Sequence, residues 1–231
     1  MPFRLKLPGL AGELFACRGC LGPMGAEAEA GLCGRCWAGL AALDPLRCGR
    51  CALPHLESVC PDPVAWERGD ALWDYHGGRP ALGPLLLPGL KAGELGWRAA
   101  LLRRLGEAEL PPWVAEADLL VPVPTHPWRR WRRGFDLARD LAEGVARRHG
   151  QPVRPLLAKA LTAPSQAERT ESQRRRLPRR AFHLRRGAEV AGLRVLLLDD
   201  AWTTGTSLLR CAQVLRGAGA EVDVLTLFRA T

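Results

Sequence analysis

The chain of 231 residues has no stretch of roughly 18 uncharged apolar residues, the length a membrane-spanning helix needs. Its longest apolar run, Ala81 to Leu90, is interrupted by Pro84 and Pro88. The start, Met1-Pro-Phe-Arg-Leu-Lys-Leu-Pro-Gly9, lacks the sustained apolar segment of a secretory signal. These absences predict a soluble, cytoplasmic protein with no membrane insertion. The hydroxyl-rich turn Thr203–Ser207 is not closed by Gly-Lys-Ser/Thr, which argues against a nucleoside-triphosphatase loop. No N-terminal cysteine or other glutaminase signature is present, which argues against glutamine hydrolysis. Apolar residues are scarce between Leu14 and about Val64, too few for a core of that segment's own.

What is present bounds the class. At 47% hydrophobic, the chain can bury a core, and its length suits one large or two small domains. The net charge is +9, which favours an anionic ligand or partner. The charge is concentrated. From Trp128 to Arg186, sixteen arginines and one lysine face five acids, a net of +12, so the rest is slightly acidic.

Seven of the eight cysteines lie between Cys17 and Cys60. Cys17-x-x-Cys20 and Cys33-x-x-Cys36 make a complete four-sulfur set for tetrahedral zinc. Cys48-x-x-Cys51 and Cys60 supply three further thiols, and His55 is the candidate fourth ligand of a second zinc. The alternative is that only four of the seven thiols bind metal, in a pairing that spacing does not fix. In a reducing compartment, such knuckles read as structural zinc rather than disulfides. Zinc would then supply the folding energy that the segment's small core cannot. Cys211 stands apart and reads as a small buried residue.

The remainder alternates strands and helices, the pattern of a mostly parallel α/β sheet. Ala71–Arg79 reads as a short strand ending in a glycine turn, Pro84–Leu90 as a broken segment, and Leu95–Leu105 as a helix. Strands are expected at Asp118–Pro124, Val153–Leu157, Arg194–Asp200 and Glu221–Phe228. Helices are expected at Phe135–His149 and Thr206–Arg216. Thr162–Arg180 is polar and Arg-rich and reads as a mobile loop. The expected organisation is a cysteine module (1–64), a connecting or hood segment (65–116) and a main α/β domain (117–231).

The most informative stretch is Val195-Leu-Leu-Leu-Asp-Asp-Ala-Trp-Thr-Thr-Gly-Thr-Ser207. Four apolar residues run into two carboxylates, then into a small hydroxyl-rich turn before an amphipathic segment. A strand–loop–helix of this kind places backbone N–H groups and hydroxyls where a helix start favours an anion. A ligand with a phosphate at one end and two hydroxyls about a sugar away would satisfy both halves.

Asp199-Asp-Ala-Trp-Thr-Thr-Gly-Thr-Ser207 resembles the phosphoribosyl pyrophosphate (PRPP) loop of type I phosphoribosyltransferases. Val121-Pro-Val-Pro124, Arg133-Gly-Phe-Asp136, Gln166 and Arg174–Arg176 extend the resemblance to the ComF family over nearly the whole chain. Members of that family are associated with bacterial competence and carry a Cys-x-x-Cys module on a phosphoribosyltransferase domain. Two departures stand out: Cys60-Pro-Asp-Pro63 replaces a fourth Cys-x-x-Cys pair, and Asp136 replaces the usual Asn.

The resemblance implies a type I phosphoribosyltransferase-like, mostly parallel sheet flanked by helices, with a small zinc-ribbon-like module before it. It implies PRPP with Mg2+ as ligand. Thr203, Thr204, Gly205, Thr206 and Ser207 would bind the 5-phosphate, and Asp199 and Asp200 the ribose hydroxyls. Thr125, Arg129 and Arg133 would meet pyrophosphate, with Arg133 also counted among the catalytic residues. Gln166, Arg174, Arg175 and Arg176 would close over the site. His126 is a candidate general acid, and Trp202 a lid or packing contact. Little sequence follows the last expected strand, so residues 65–110 with the cysteine module are expected to form the hood. Besides a regulator that senses PRPP and binds RNA or a protein, two function classes follow. One is a phosphoribosyltransferase with an unidentified acceptor, associated with DNA uptake in natural competence. The alternative is a non-catalytic factor that keeps the fold and binds single-stranded DNA or a partner such as a competence helicase. In that case Trp128 and Trp131, among arginines, could stack on bases.

Overall fold

The long apolar runs become strands covered on both faces, as parallel sheets require. The computed structural model describes residues 4–5, 14–55, 60, 64–160 and 181–230. In chain order the elements are β1 (Arg4–Leu5), β2 (Leu14–Phe15), α1 (Gly34–Ala38), β3 (Gly69–Asp74), α2 (Gly83–Ala92), α3 (Leu95–Glu107) and a 3-10 turn (Pro112–Glu116). There follow β4 (Leu119–Pro122), α4 (Pro127–Arg133), α5 (Leu137–His149), β5 (Leu157–Lys159), β6 (Phe182–Leu184), β7 (Arg194–Trp202), α6 (Thr206–Gly217) and β8 (Glu221–Arg229). The main sheet has the order β3-β8-β7-β4, with every pairing parallel. β5 and β6 form a separate antiparallel pair, as do β1 and β2. The chain is thus mixed α/β with a mostly parallel sheet.

Alternation along each strand feeds two cores. Leu120, Leu196, Leu198 and Leu225 face α2, α3 and α5. Leu119, Val121, Val195, Leu197 and Val224 face α6 through Leu208, Cys211, Ala212 and Leu215. Cys211 is fully buried, as expected, and burial pushes its thiol well above the usual range.

Two local expectations change. Pro84–Leu90 is not broken. It lies within helix α2, where Pro84 stands in the first turn and costs no intrahelical bond. Pro88 is inside the helix, and the apolar face of Leu86, Leu87 and Leu90 is buried in the core and holds the helix despite it. Val153 makes only a single parallel bridge to Leu120, and the strand that follows runs instead over Leu157–Lys159. β3 is an edge strand of the main sheet, so the 65–116 segment contributes a strand to the sheet that carries β7.

The cysteine region packs onto this frame rather than beside it. Cys17, Cys33, Cys36 and Trp37 share the core of Leu72, Leu82 and Trp97, whereas Cys51 and Ala52 belong to the opposite core with Trp66 and Trp202. α3 clamps the first set. Trp97 donates its indole N–H to the Ala30 carbonyl at 2.7 Å, and Arg104 lies 3.9 Å over the Trp37 ring.

Candidate functional site

β7 carries Asp199 and Asp200 to the carboxyl edge of the sheet and runs on to Trp202, two residues beyond the expected strand. Open α/β sheets collect ligands at that edge. Thr203, Thr204 and Gly205 make the turn into α6. Gly205 has a φ of +67°, and a Cβ there would lie 2.8 Å from Trp202 Nε1. Both backbone and packing therefore demand glycine. The first N–H groups of α6 have no acceptor within the helix, and its positive dipole end lies with them, which suits an anion. The Thr204 and Thr206 hydroxyls are 3.0 Å apart.

A cavity of about 450 Å³ opens over this edge. Asp199, Asp200 and Thr203 to Ser207 line it from the β7–α6 turn, and Thr125, His126, Arg129 and Arg133 from the segment after β4. These eleven residues, all singled out from the sequence, thus line one cavity. α4, absent from the sequence reading, presents the arginines: none of its residues is buried. His126 spends Nδ1 accepting the Trp128 N–H at 3.3 Å, capping that helix. Gln166 and Arg174 to Arg176 lie outside the described residues.

The cavity also gathers two lysines that the sequence did not single out. Lys91, in the last turn of α2, brings Nζ to 3.6 Å from Asp200 Oδ2. Its backbone carbonyl accepts the Arg133 Nε–H at 2.9 Å, tying α2 to α4. Lys159, on β5, lines the cavity with Phe182, whose ring lies 5.4 Å from its ammonium. No local motif marks either lysine; both arrive by tertiary contact.

The electrostatics are uneven. Asp199 is half-buried at the cavity, and desolvation pushes its carboxyl well above the usual carboxylate range, with the Asp200 charge acting the same way. The Asp200 N–H donates to Asp199 Oδ1 at 2.8 Å and opposes that rise. Asp136 is likewise raised by burial, although Thr125 donates its hydroxyl to it at 3.2 Å. Burial lowers the Arg133 guanidinium; the Asp200 and Asp136 charges oppose that shift, and Arg129 and Arg132 add to it.

The two cysteine groups each bring four candidate ligand atoms within 4.8 Å: Cys17, Cys20, Cys33 and Cys36, then Cys48, Cys51, His55 and Cys60. In the first, Sγ–Sγ separations are 3.5 Å for Cys17–Cys36 and 3.8 Å for Cys20–Cys33. Four sulfurs about 2.3 Å from a tetrahedral zinc would stand about 3.8 Å apart, so the donor set fits that ion. Both knuckles fold alike. Gly19 N–H donates to Cys17 Sγ at 3.3 Å and Arg50 N–H to Cys48 Sγ at 3.4 Å. Leu21 and Ala52, each just after the second cysteine, take φ of 59° and 57°. In the second group the His55 side chain hydrogen-bonds Cys48.

A parallel sheet with an acidic pair and a hydroxyl turn at its carboxyl edge, facing arginines across a cavity, defines a phosphoribosyltransferase-like α/β protein. No family model matches the chain. It is 30% identical over 238 residues to "DNA utilization protein YhgH" of Escherichia coli O157:H7, spanning 97% of this chain and 99% of that one. It is 31% identical to "Competence protein F" of Haemophilus influenzae, over 49% of this chain and 51% of the other. An "Orotate phosphoribosyltransferase" of Pyrobaculum islandicum is 32% identical over 54% of this chain and 55% of its own. Among solved structures, a glutamine PRPP amidotransferase from B. subtilis is 25% identical with a TM-score of 0.36, over 55% of this chain and 26% of that one. The chain belongs to the ComF family that its motifs resemble, alongside DNA utilization protein YhgH.

Proposed function

We propose that the protein binds PRPP with Mg2+ in this cavity and transfers its phosphoribosyl group to an acceptor, in the context of DNA utilization. The observation that carries the proposal is the convergence of the Asp199–Asp200 pair, the Thr203–Ser207 turn and Arg129 and Arg133 on one cavity. Sequence similarity to an orotate phosphoribosyltransferase over half the chain supports it.

In this reading the N-terminal turn of α6 takes the 5-phosphate, since its N–H groups and hydroxyls match a dianion. Asp200 and Asp199 accept hydrogen bonds from the ribose hydroxyls. Carboxylate oxygens are also the donors that Mg2+ prefers, so the residues fit an ion arriving with the substrate, which would offset charge on the diphosphate. Arg129 and Arg133 lie across the cavity, where the leaving pyrophosphate needs positive charge. The bond from C1 of the ribose to pyrophosphate breaks as a bond from C1 to the acceptor forms, and the acceptor releases a proton. The protein contributes position and charge, as expected for a transition state that carries positive charge on the sugar ring. Lys91 holds Asp200 in place until the sugar displaces it. The 1–64 module and the 65–116 segment are read as the hood over the acceptor, and the two cysteine groups as zinc sites.

A second reading rests on α4. Trp128 and Trp131 are 56% and 80% exposed among arginines, an arrangement suited to stacking on single-stranded DNA. It predicts that Trp128→Ala with Trp131→Ala abolishes binding to an oligonucleotide and leaves PRPP binding intact.

Calorimetric titration with PRPP and Mg2+ tests the first reading. Micromolar binding by the wild type, lost in the Asp199→Asn/Asp200→Asn double variant, is the expected result. A folded wild type that binds no PRPP would overturn it.

A further inference from the structure

Three consecutive carbonyls of the second cysteine knuckle are each held from outside it. The Gly49 carbonyl accepts the Gly69 N–H at 2.8 Å, the Arg50 carbonyl accepts the Trp66 indole N–H at 2.7 Å, and the Cys51 carbonyl accepts Arg229 Nε–H at 3.0 Å. Two of those donors continue to the phosphate turn. Arg229, 4% exposed at the end of β8, also donates from Nη1 to the carbonyls of Trp202 at 3.0 Å and Thr203 at 3.1 Å. Its guanidinium lies 4.5 Å over the Trp202 ring. Trp66 meets the same ring edge-on, with centroids 5.1 Å apart.

Trp202 in turn backs the turn itself, because its Nε1 occupies the space next to Gly205. The assembly leaves no slack on the knuckle side. A Cβ on Gly69 would lie 2.5 Å from the Arg50 carbonyl, 2.7 Å from Trp66 Nε1 and 3.1 Å from Trp202 Cζ3. The turn is otherwise open: Thr203 and Thr204 are exposed. A turn that must present its N–H groups to a dianion gains from being held in that geometry before the ligand arrives.

We propose that Arg229 and Trp66 are positioning residues that brace the Thr203–Ser207 turn against the Cys48–Cys51 knuckle. The cysteine module thereby sets the geometry of the phosphate site without touching its ligand. The inference rests on the PRPP reading only for what the turn binds. Charge alone would not do this. The guanidinium spans two segments with several donors in one plane, which an ammonium cannot.

The test uses the full-length, zinc-loaded protein and three variants: Arg229→Lys, Trp66→Phe, and Trp37→Phe as a control. Trp37 donates its indole N–H to the Glu29 carbonyl at 3.0 Å within the first cysteine set, so the control removes a similar bond elsewhere. Amide hydrogen exchange of the 202–209 peptide is measured without ligand, with zinc content alongside and titration with ribose 5-phosphate afterwards. In Arg229→Lys and Trp66→Phe, the peptide is expected to exchange roughly fivefold faster, the effect of losing about one hydrogen bond. Ribose 5-phosphate affinity should fall by a similar factor, while zinc content and the Trp37→Phe peptide stay at wild-type values. Should Arg229→Lys fail to fold, Trp66→Phe decides alone. Unchanged exchange in Trp66→Phe overturns the brace even if ribose 5-phosphate binds. Faster exchange in a protein that never binds ribose 5-phosphate supports the brace and sinks the PRPP reading instead.

Discussion

Asp199 shows what the site costs the fold. Its carboxyl is pushed up by burial and by Asp200, so the folded chain keeps that proton to a higher pH than the unfolded chain does. Stability from this group is therefore greatest at low pH and falls as pH rises from about 4 through the raised native value. Asp199→Asn removes the penalty. It should raise the melting temperature at neutral pH by roughly 2–4 °C, the effect of about 1 kcal/mol in a chain this size, while abolishing PRPP binding. Thermal melts between pH 4 and 8 check this; a variant that melts lower than wild type at pH 7 contradicts it. Asp223 is a buried acid held in an ion pair with Arg68. It is 2% exposed and accepts from the Arg68 backbone N–H at 3.0 Å and from Nη2 at 2.7 Å, joining the start of β3 to β8. Asp223→Asn leaves Arg68 without its buried anion and should cost about 3 kcal/mol in urea denaturation. A cost close to zero would mean that the pair is solvent-screened.

Among the elements, α2 carries two opposed features. Pro88 is exposed and supplies no N–H to the helix ladder, so Pro88→Ala should stabilise by about 2 kcal/mol. Gly89, the next residue, cannot be changed in the same way. A Cβ there would lie 2.1 Å from the Trp97 ring, which crosses from α3. Gly89→Ala should destabilise by about 1–3 kcal/mol through overpacking, although alanine is the better helix former. Denaturant midpoints of the two single variants separate these effects; stabilisation by both would show that propensity outweighs the α2–α3 contact. The helix matters to the site because it ends on Lys91, which reaches Asp200.

For the whole molecule, the question is whether the cysteine module is an appendage. Cys17, Cys33 and Cys36 share one core with Leu72 and Trp97, and the second knuckle packs on the other face of the sheet. Metal stripping should therefore lower the stability of the entire chain. Cys17→Ser is expected to lose zinc and to drop the melting temperature by roughly 6–12 °C, about 3 kcal/mol in a chain of this size, in a single transition. A separate early transition that leaves the main one unmoved would show the module to be independent. No helix among the described residues is long and apolar enough to cross a membrane.

Much of this was readable along the chain, for a physical reason. The β7–α6 turn, the Cys-x-x-Cys pairs and the alternation of strands and helices depend on neighbours a few residues apart, and spacing in sequence then equals spacing in space. Thr203 to Ser207 read as a candidate anion site because the helix start, the glycine and the hydroxyls are contiguous. The rest depends on partners far away. Pro88 reads as a break, and only the packing of Leu86, Leu87 and Leu90 in a core keeps α2 whole. Lys91 and Lys159 have no motif, because each acquires its role from a cavity assembled by other strands and helices. Arg229 looks like the polar end of a last strand. Its part as a link between knuckle and turn appears once β8 lies between β3 and β7, bringing residue 229 against residues 51 and 202. Local chemistry is written in local sequence, whereas shared cavities and braces come into being when the sheet closes distant segments on each other.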